Sequence, residues 1–219
     1  MLEATLLAIS SLTFTGKKYE ARDALKETIG EHGEKSYSVD VEIVDYCLNR
    51  VAEHAMNYPP TFASDSERQE VERELKALLK IFDVVMESHS DDAQLLLRSG
   101  FAHSLGHNLD FEGSSEKATD SFKKLLKIDP NNPQGNYLYG MFLSNTRKYH
   151  FDSVPYLEKA LKLGVEDSRY TLGLLRVQQG RREEGLKLLK QYSEKNPQND
   201  HVKRVIKAIE SGDLKFMSN

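Results

Sequence analysis

Apolar residues recur at three- and four-residue steps along most of the chain, which is the period of a helix with one buried face. The clearest stripe lies within residues 64–88 and consists of Val71, Leu75, Leu78, Leu79, Phe82, Val85 and Met86. A second stripe lies within residues 40–58 and stops before Pro59 and Pro60, because proline disrupts a helix interior. Both stretches are therefore predicted to be helices.

Polar residues at the expected places mark helix starts. Ser64 with Glu67, and Asp91 with Gln94, have the spacing of a capping box, in which side chains satisfy free amides of the first helical turn. Alternating apolar runs joined by a hairpin turn such as Asn-Gly or Asp-Gly are not found. The pattern therefore predicts an all-α protein.

The second half of the chain repeats one pattern of small and large residues three times. In the last copy Gly173 is followed by Gly185, Leu189 and Pro197, at intervals of twelve, four and eight residues. The two earlier copies place Gly140, Ser153, Leu157 and Ala160, and then Gly100, Ala118, Phe122, Leu125 and Pro130, at comparable positions. A small residue lets two antiparallel helices approach closely, and the large residue fills the remaining space. We therefore expect the three glycines at close helix–helix contacts.

This pattern resembles the tetratricopeptide repeat (TPR) family of helical-repeat proteins. The resemblance implies a right-handed superhelical solenoid of antiparallel helix pairs, about eleven helices in all, with a capping helix after Pro197. One further copy fits near the N-terminus, on Ile9, Leu12, Gly16, Tyr19, Ala21, Leu25 and Thr28. We expect degenerate helical repeats in residues 1–90 and three repeats plus the cap in residues 91–219, as one continuous solenoid. The alternative is an unrelated helical bundle with the same spacing by chance.

The composition limits which classes of partner and which cellular compartment are expected. Of the 219 residues, 39% are hydrophobic and 29% charged, and the formal net charge is -4, so neither nucleic acid nor an anionic membrane is expected as the main partner. Cys47 is the only cysteine, which excludes an intrachain disulfide and suits the reducing cytoplasm. Export with removal of a signal peptide remains the alternative to a cytoplasmic location.

The sequence offers one candidate for catalysis or metal binding. His103 and His107 are four residues apart, so one metal ion could contact both, but a third ligand at suitable spacing is missing. We therefore predict no enzyme activity, no catalytic residue, no metal and no cofactor. A metal-dependent regulator or enzyme using His103 and His107 is the runner-up, and a nucleic-acid-binding helical repeat is a third possibility.

The resemblance implies a scaffold that binds a peptide or helix of another protein in a concave groove lined by the first helix of each pair. The apolar groove positions are Leu97, Phe101, Leu105, Tyr137, Met141, Tyr170, Leu174 and Val177, and the polar ones are Gln134, Asn145 and Gln178. Family members that clamp the carboxylate of chaperone tails carry asparagine after the motif glycine. Here Phe101, Met141 and Leu174 follow it, so such a clamp is disfavoured. The groove could instead be filled by the chain itself, through its N-terminal helices or residues 214–217.

Overall fold

The structure, a computed structural model, describes residues 19–146 and 150–213. These residues contain nine α-helices, somewhat fewer than the eleven or so predicted for the whole chain. The helices are α1 (Val41–Ala55), α2 (Asp65–Met86), α3 (Ala93–Asn108), α4 (Ser114–Ile128), α5 (Pro133–Asn145), α6 (Val154–Lys162), α7 (Ser168–Gln178), α8 (Arg182–Lys195) and α9 (Asp200–Ser211). Short 3₁₀ helices lie at Ala21–Ala24 and His150–Ser153. The predicted helical solenoid is confirmed.

An antiparallel β-hairpin precedes the helices. Strands β1 (Leu25–Ile29) and β2 (Lys35–Val39) pair, and Gly33 adopts φ 84° in their turn, a conformation that favours glycine. The prediction of a helical repeat was therefore wrong for its part from Tyr19 to Thr28, while Ile9, Leu12 and Gly16 lie outside the described residues. Most side chains of both strands are exposed: β1 has no apolar alternation, and in β2 only Tyr37 and Val39 alternate with serines.

The described chain forms two compact units, residues 19–130 and residues 131–213. The division at residue 90, which followed the repeat pattern rather than compactness, stays a prediction. Within the described residues, the structure has no helix that combines the length and the apolar character needed to span a membrane.

In the unit of residues 19–130, α1 and α2 pack on each other and on α3, and α3 pairs with α4. The predicted stripe of α2 supplies Leu75, Leu78 and Phe82 to the core, and Cys47 of α1 is buried, where burial raises the pKa of its thiol. Ser64 caps α2 as predicted, because its hydroxyl accepts the Glu67 amide (3.2 Å).

The cap of α3 lies one residue later than predicted. Asp92, rather than Asp91, accepts the backbone amides of Gln94 (2.8 Å) and Leu95 (3.0 Å).

In the unit of residues 131–213, α5 pairs with α6, α7 with α8, and α9 packs on α8. The capping helix predicted after Pro197 is therefore present. Arg182, at the start of α8, donates to the backbone oxygens of Ile209 (2.7 Å) and Glu210 (2.8 Å), near the end of α9. These hydrogen bonds engage carbonyls of the last turn of α9, where the Ile209 oxygen also accepts the Gly212 amide (3.2 Å).

The three motif glycines lie where helices touch, as predicted. A Cβ added at Gly100 would lie 2.8 Å from Phe122, one at Gly140 would lie 2.6 Å from Leu157, and one at Gly173 would lie 2.7 Å from Leu189. Carbon atoms do not approach this closely, so the contact leaves room only for glycine. Each large residue is the one that the repeat pattern paired with that glycine.

Candidate functional site

The predicted groove residues of α3 are buried. Leu97, Phe101 and Leu105 are 5%, 1% and 1% exposed. Within its own unit α3 packs against α1, α2 and α4, so few of its faces remain open. These three side chains therefore present no surface to a partner in this structure.

The groove residues of α5 and α7 are more accessible. Tyr137 is buried, but Gln134, Met141, Tyr170, Leu174 and Val177 are partly exposed, and Asn145 and Gln178 are exposed. The Thr171 hydroxyl donates to Met141 Sδ (3.0 Å), which joins the two helices side by side. We call the patch formed by Gln134, Tyr137, Met141, Tyr170 and Leu174 the α5–α7 surface.

Helical spacing explains how this surface arises. Residues three, four and seven apart lie on one side of a helix, so Gln134, Tyr137 and Met141 share a face of α5, and Tyr170 and Leu174 share a face of α7. Val177 differs, because its Cγ2 occupies the space above Gly185 and helps to pack α7 on α8.

A cluster of tyrosines around one carboxylate borders this surface. The Tyr192 hydroxyl donates to Asp167 Oδ1 (3.3 Å), and the rings of Tyr170 and Tyr192 are 5.6 Å apart between centroids. The Tyr170 hydroxyl lies 3.1 Å from Nε2 of His201, within hydrogen-bond distance. Side chains of α7, α8 and α9 therefore meet here with that of Asp167, the residue that precedes α7.

Burial dominates the electrostatics of this cluster. It raises the pKa of Asp167 above its usual range, and the charge of Glu166 acts in the same direction, while the hydrogen bond from Tyr192 opposes both. Burial, followed by the nearby charge of Asp167, also raises the pKa of Tyr192 to about 12, and the same two causes raise the pKa of Tyr137. Burial also raises the pKa of Tyr170, so Tyr137, Tyr170 and Tyr192 are neutral phenols at physiological pH.

Sequence reasoning missed Asp167, Tyr192 and His201. They come from different elements, and Tyr192 stands 25 residues after Asp167. The available signal was a chain position: Asp167 directly precedes the first helix of a repeat, three residues before the predicted groove residue Tyr170.

His103, the predicted alternative site, lies at a cleft of about 430 Å³ in the unit of residues 19–130. The cleft is lined by Lys76, Leu79, Asp83, His103, Asp110, Phe111, Glu112, Ser114 and Lys117. His103 is 4% exposed, and its buried Nδ1 has no hydrogen-bond partner. Burial, followed by the charge of Lys117, lowers the pKa of His103 to about 4, so the ring is neutral at pH 7.

The structure brings no third ligand to His103 and His107. Among the described residues, no three His, Cys, Asp or Glu side chains are arranged to hold a metal ion. The loop between α3 and α4 contributes Asp110, Phe111 and Glu112 to the lining of the cleft, and the Lys76 ammonium lies 4.9 Å from the ring centroid of Phe111.

Comparison with known proteins agrees with the repeat pattern. The sequence profile of the tetratricopeptide repeat family matches residues 101–132, which include the second half of α3 and all of α4. Among solved structures, the fold is similar to that of a thermophilic TPR protein from Thermus thermophilus, with a TM-score of 0.53, 14% sequence identity, and coverage of 66% of this chain and 76% of that chain. No curated protein sequence matches the chain. The predicted resemblance is thus confirmed: the chain carries a tetratricopeptide repeat and folds as a helical solenoid of the TPR type.

Proposed function

We propose that this protein is an interaction scaffold that binds a peptide or helix of another protein on the α5–α7 surface. The observation that carries the proposal is the adjacency of partly exposed Met141, Tyr170 and Leu174 on two first helices that Thr171 joins. TPR solenoids in general bind other proteins on such helices.

The chemistry of the surface suits an apolar or aromatic peptide segment. Tyrosine offers a large rigid contact area with a polar tip, and methionine adapts its shape to irregular partners. Exposed Asn145, at the C-terminal end of α5, can bond a peptide backbone, and so can the side-chain NH₂ of exposed Gln178 at the C-terminal end of α7, whose Oε1 already contacts Nε2 of His150. Affinity would come from these few side chains rather than from the buried positions on α3.

The alternative of a metal-dependent regulator or enzyme gains no support. His103 is a neutral ring in a mixed cleft, and the described residues bring it no third metal ligand. We therefore propose binding without catalysis. A cytoplasmic location, inferred from the single Cys47, stays a prediction.

Peptide selection tests the proposal. Peptides selected from a displayed random library on the full chain should bind the wild type in a fluorescence polarisation assay. Tyr170→Ala should weaken that binding by about 2 kcal/mol, a typical hot-spot loss, since it removes the largest partly exposed ring of the surface. Its thermal stability should fall only slightly.

The matched control is Tyr156→Ala on α6. Tyr156 is also a partly exposed tyrosine and packs on Tyr139, with 4.7 Å between ring centroids, but it lies outside the α5–α7 surface. This variant should bind the selected peptides as tightly as the wild type. If no peptide can be selected, or if both variants bind equally well, the proposed surface is wrong.

A further inference from the structure

Asp167 carries a charge that the described chain does not balance. The carboxylate is half-buried, and among the described residues its hydrogen-bond partner is the hydroxyl of Tyr192. Arg169 and Lys195 do not balance this charge, because both form ion pairs with Glu166 instead, at 3.0 Å and 2.9 Å. A partly desolvated carboxylate without a cation raises the free energy of the folded state, because it has lost hydration without gaining a counter-charge.

Aromatic rings lie on the Tyr192 side of the same carboxylate. Tyr170 and Tyr192 lie beside each other with ring planes inclined by 44°, and the buried Tyr137 is close enough for the charge of Asp167 to raise its pKa. The face of an aromatic ring is electrically negative and attracts ammonium and guanidinium groups. The rings and the carboxylate therefore both favour a cationic ligand.

A further acceptor lies on the same side of α5. Gln134 precedes Tyr137 by three residues, so both side chains share a helix face. Its buried side-chain oxygen Oε1 has no hydrogen-bond partner. An ammonium group has three N–H donors and a guanidinium five, so either can bond several acceptors at once.

We propose that the partly exposed Asp167 and Tyr170, backed by the buried rings of Tyr137 and Tyr192 and by Gln134, form a site for a cationic side chain, lysine or arginine, of the bound partner. We call these five residues the Asp167 cluster. The proposal rests on the proposed function, because it gives the charge of the peptide that would occupy the α5–α7 surface. It is opposite in sign to a clamp for a terminal carboxylate, which needs cations on the protein.

The competing explanation is purely structural. In that case the hydrogen bond from Tyr192 holds α8 to the start of α7, and the carboxylate serves only as its acceptor. The two explanations differ for Asp167→Asn, since the amide keeps an oxygen that can accept the Tyr192 hydroxyl but loses the charge.

The test uses small probes and the full chain. N-acetyl-lysinamide and N-acetyl-argininamide are titrated in turn while tyrosine ring signals are followed by NMR, with the uncharged N-acetyl-norleucinamide as the matched probe. Both cationic probes should shift the ring signals of Tyr170 and Tyr192 saturably, and the uncharged probe should not.

Two variants complete the test. Asp167→Asn should weaken binding of the cationic probes by about tenfold or more, which corresponds to about 1.4 kcal/mol, at an unchanged or higher melting temperature at pH 7. Glu183→Gln removes an exposed carboxylate at the start of α8 and should leave probe binding unchanged.

Failure of this inference can be told apart from failure of the proposed function. The inference is overturned if the cationic probes give no saturable shift, if the uncharged probe binds equally, or if Asp167→Asn binds normally or unfolds at a much lower temperature. Selected peptides that lack lysine and arginine but depend on Tyr170 would also overturn it while supporting the proposed function. Saturable probe binding without any selectable peptide would support the cation site and count against the scaffold proposal.

Discussion

At the residue scale, His103 couples the stability of the fold to pH. Its pKa is about 4 in the folded chain, against an ordinary value of about 6.5 in the unfolded chain. Between these two values the unfolded state binds a proton that the folded state does not, so the free energy of unfolding rises with pH through this window. Since one pKa unit corresponds to about 1.4 kcal/mol, His103 should contribute about 2 kcal/mol of stability at pH 7 that is lost at pH 5.

Urea unfolding of the wild type and of His103→Gln at pH 7 and pH 5 measures this contribution. The variant lacks the titrating ring, so its loss of stability between the two pH values should be smaller by about 2 kcal/mol. Comparing the two losses cancels the contribution of carboxylates, which titrate in both proteins. His107→Gln, one helical turn away and less buried, is the control and should keep the wild-type loss. An equal loss in His103→Gln and the wild type would contradict the burial of a neutral ring.

At the element scale, Gly185 decides how closely α7 and α8 approach. A Cβ at this position would lie 2.4 Å from Val177 Cγ2 and 2.6 Å from the backbone oxygen of Gly173. A backbone atom cannot move aside as a side-chain tip can, so Gly185→Ala should lower the free energy of unfolding by about 2 kcal/mol, in spite of the better helix propensity of alanine. Chemical denaturation checks this value, with Lys187→Ala on the exposed face of α8 as control. A stabilised Gly185→Ala protein would show that the helices are farther apart.

A buried ion pair joins the first helix to the first clear repeat. Arg98 of α3 donates from Nε and Nη2 to the two carboxylate oxygens of Asp45 of α1, at 2.7 Å each. Asp45→Leu would leave the guanidinium buried without its counter-charge, with only the hydrogen bonds from Nη1 to Gln94 O (3.0 Å) and Oε1 (2.9 Å), and should cost about 3 kcal/mol or more. The double variant Asp45→Leu with Arg98→Met removes both charges and should be more stable than Asp45→Leu alone.

The control for this ion pair is the exposed pair of Lys117 and Asp83, 2.8 Å apart. Because water already screens these charges, Asp83→Ala should change the free energy of unfolding by less than about 1 kcal/mol. If Asp45→Leu had an effect as small as Asp83→Ala, the first helix would not depend on this contact. Equilibrium denaturation of the wild type and the three variants at pH 7 gives the comparison.

At the scale of the whole molecule, the sequence was most informative where contacts are local or repeated. The glycines of the three repeats, the cap at Ser64 and the final helix follow from spacing alone. The hairpin gave little signal, because β1 has no apolar alternation, that of β2 is limited to Tyr37 and Val39, and residues 30–34 between the strands contain neither Asn-Gly nor Asp-Gly. Periodicity shows which side of a helix is apolar but not what covers it, so the family resemblance assigns Leu97, Phe101 and Leu105 of α3 to a groove although α1, α2 and α4 pack on that helix. The Asp167 cluster needs the tertiary fold, because its members lie on separate elements.

The stacking of the repeats also predicts how instability spreads through residues 131–213. In a solenoid each helix pair contacts only its neighbours, so the loss of one pair weakens the next most strongly. Val202 and Ile209 are the buried apolar residues of α9, and this helix packs on α8. Val202→Asp places a charge in that contact and should unfold α9 locally.

Hydrogen exchange followed residue by residue should then show a gradient. Amides of α8 should lose the most protection, those of α7 less and those of α5 least, because α9 packs chiefly on α8 and meets α7 through His201 and Tyr170. Lys203→Asp, on the exposed face of the same helix, controls for the added negative charge and should leave the protection of α8 unchanged. Uniform loss of protection from α5 to α8 in Val202→Asp would mean that residues 131–213 unfold as one cooperative block, in which the repeats have no separate stability.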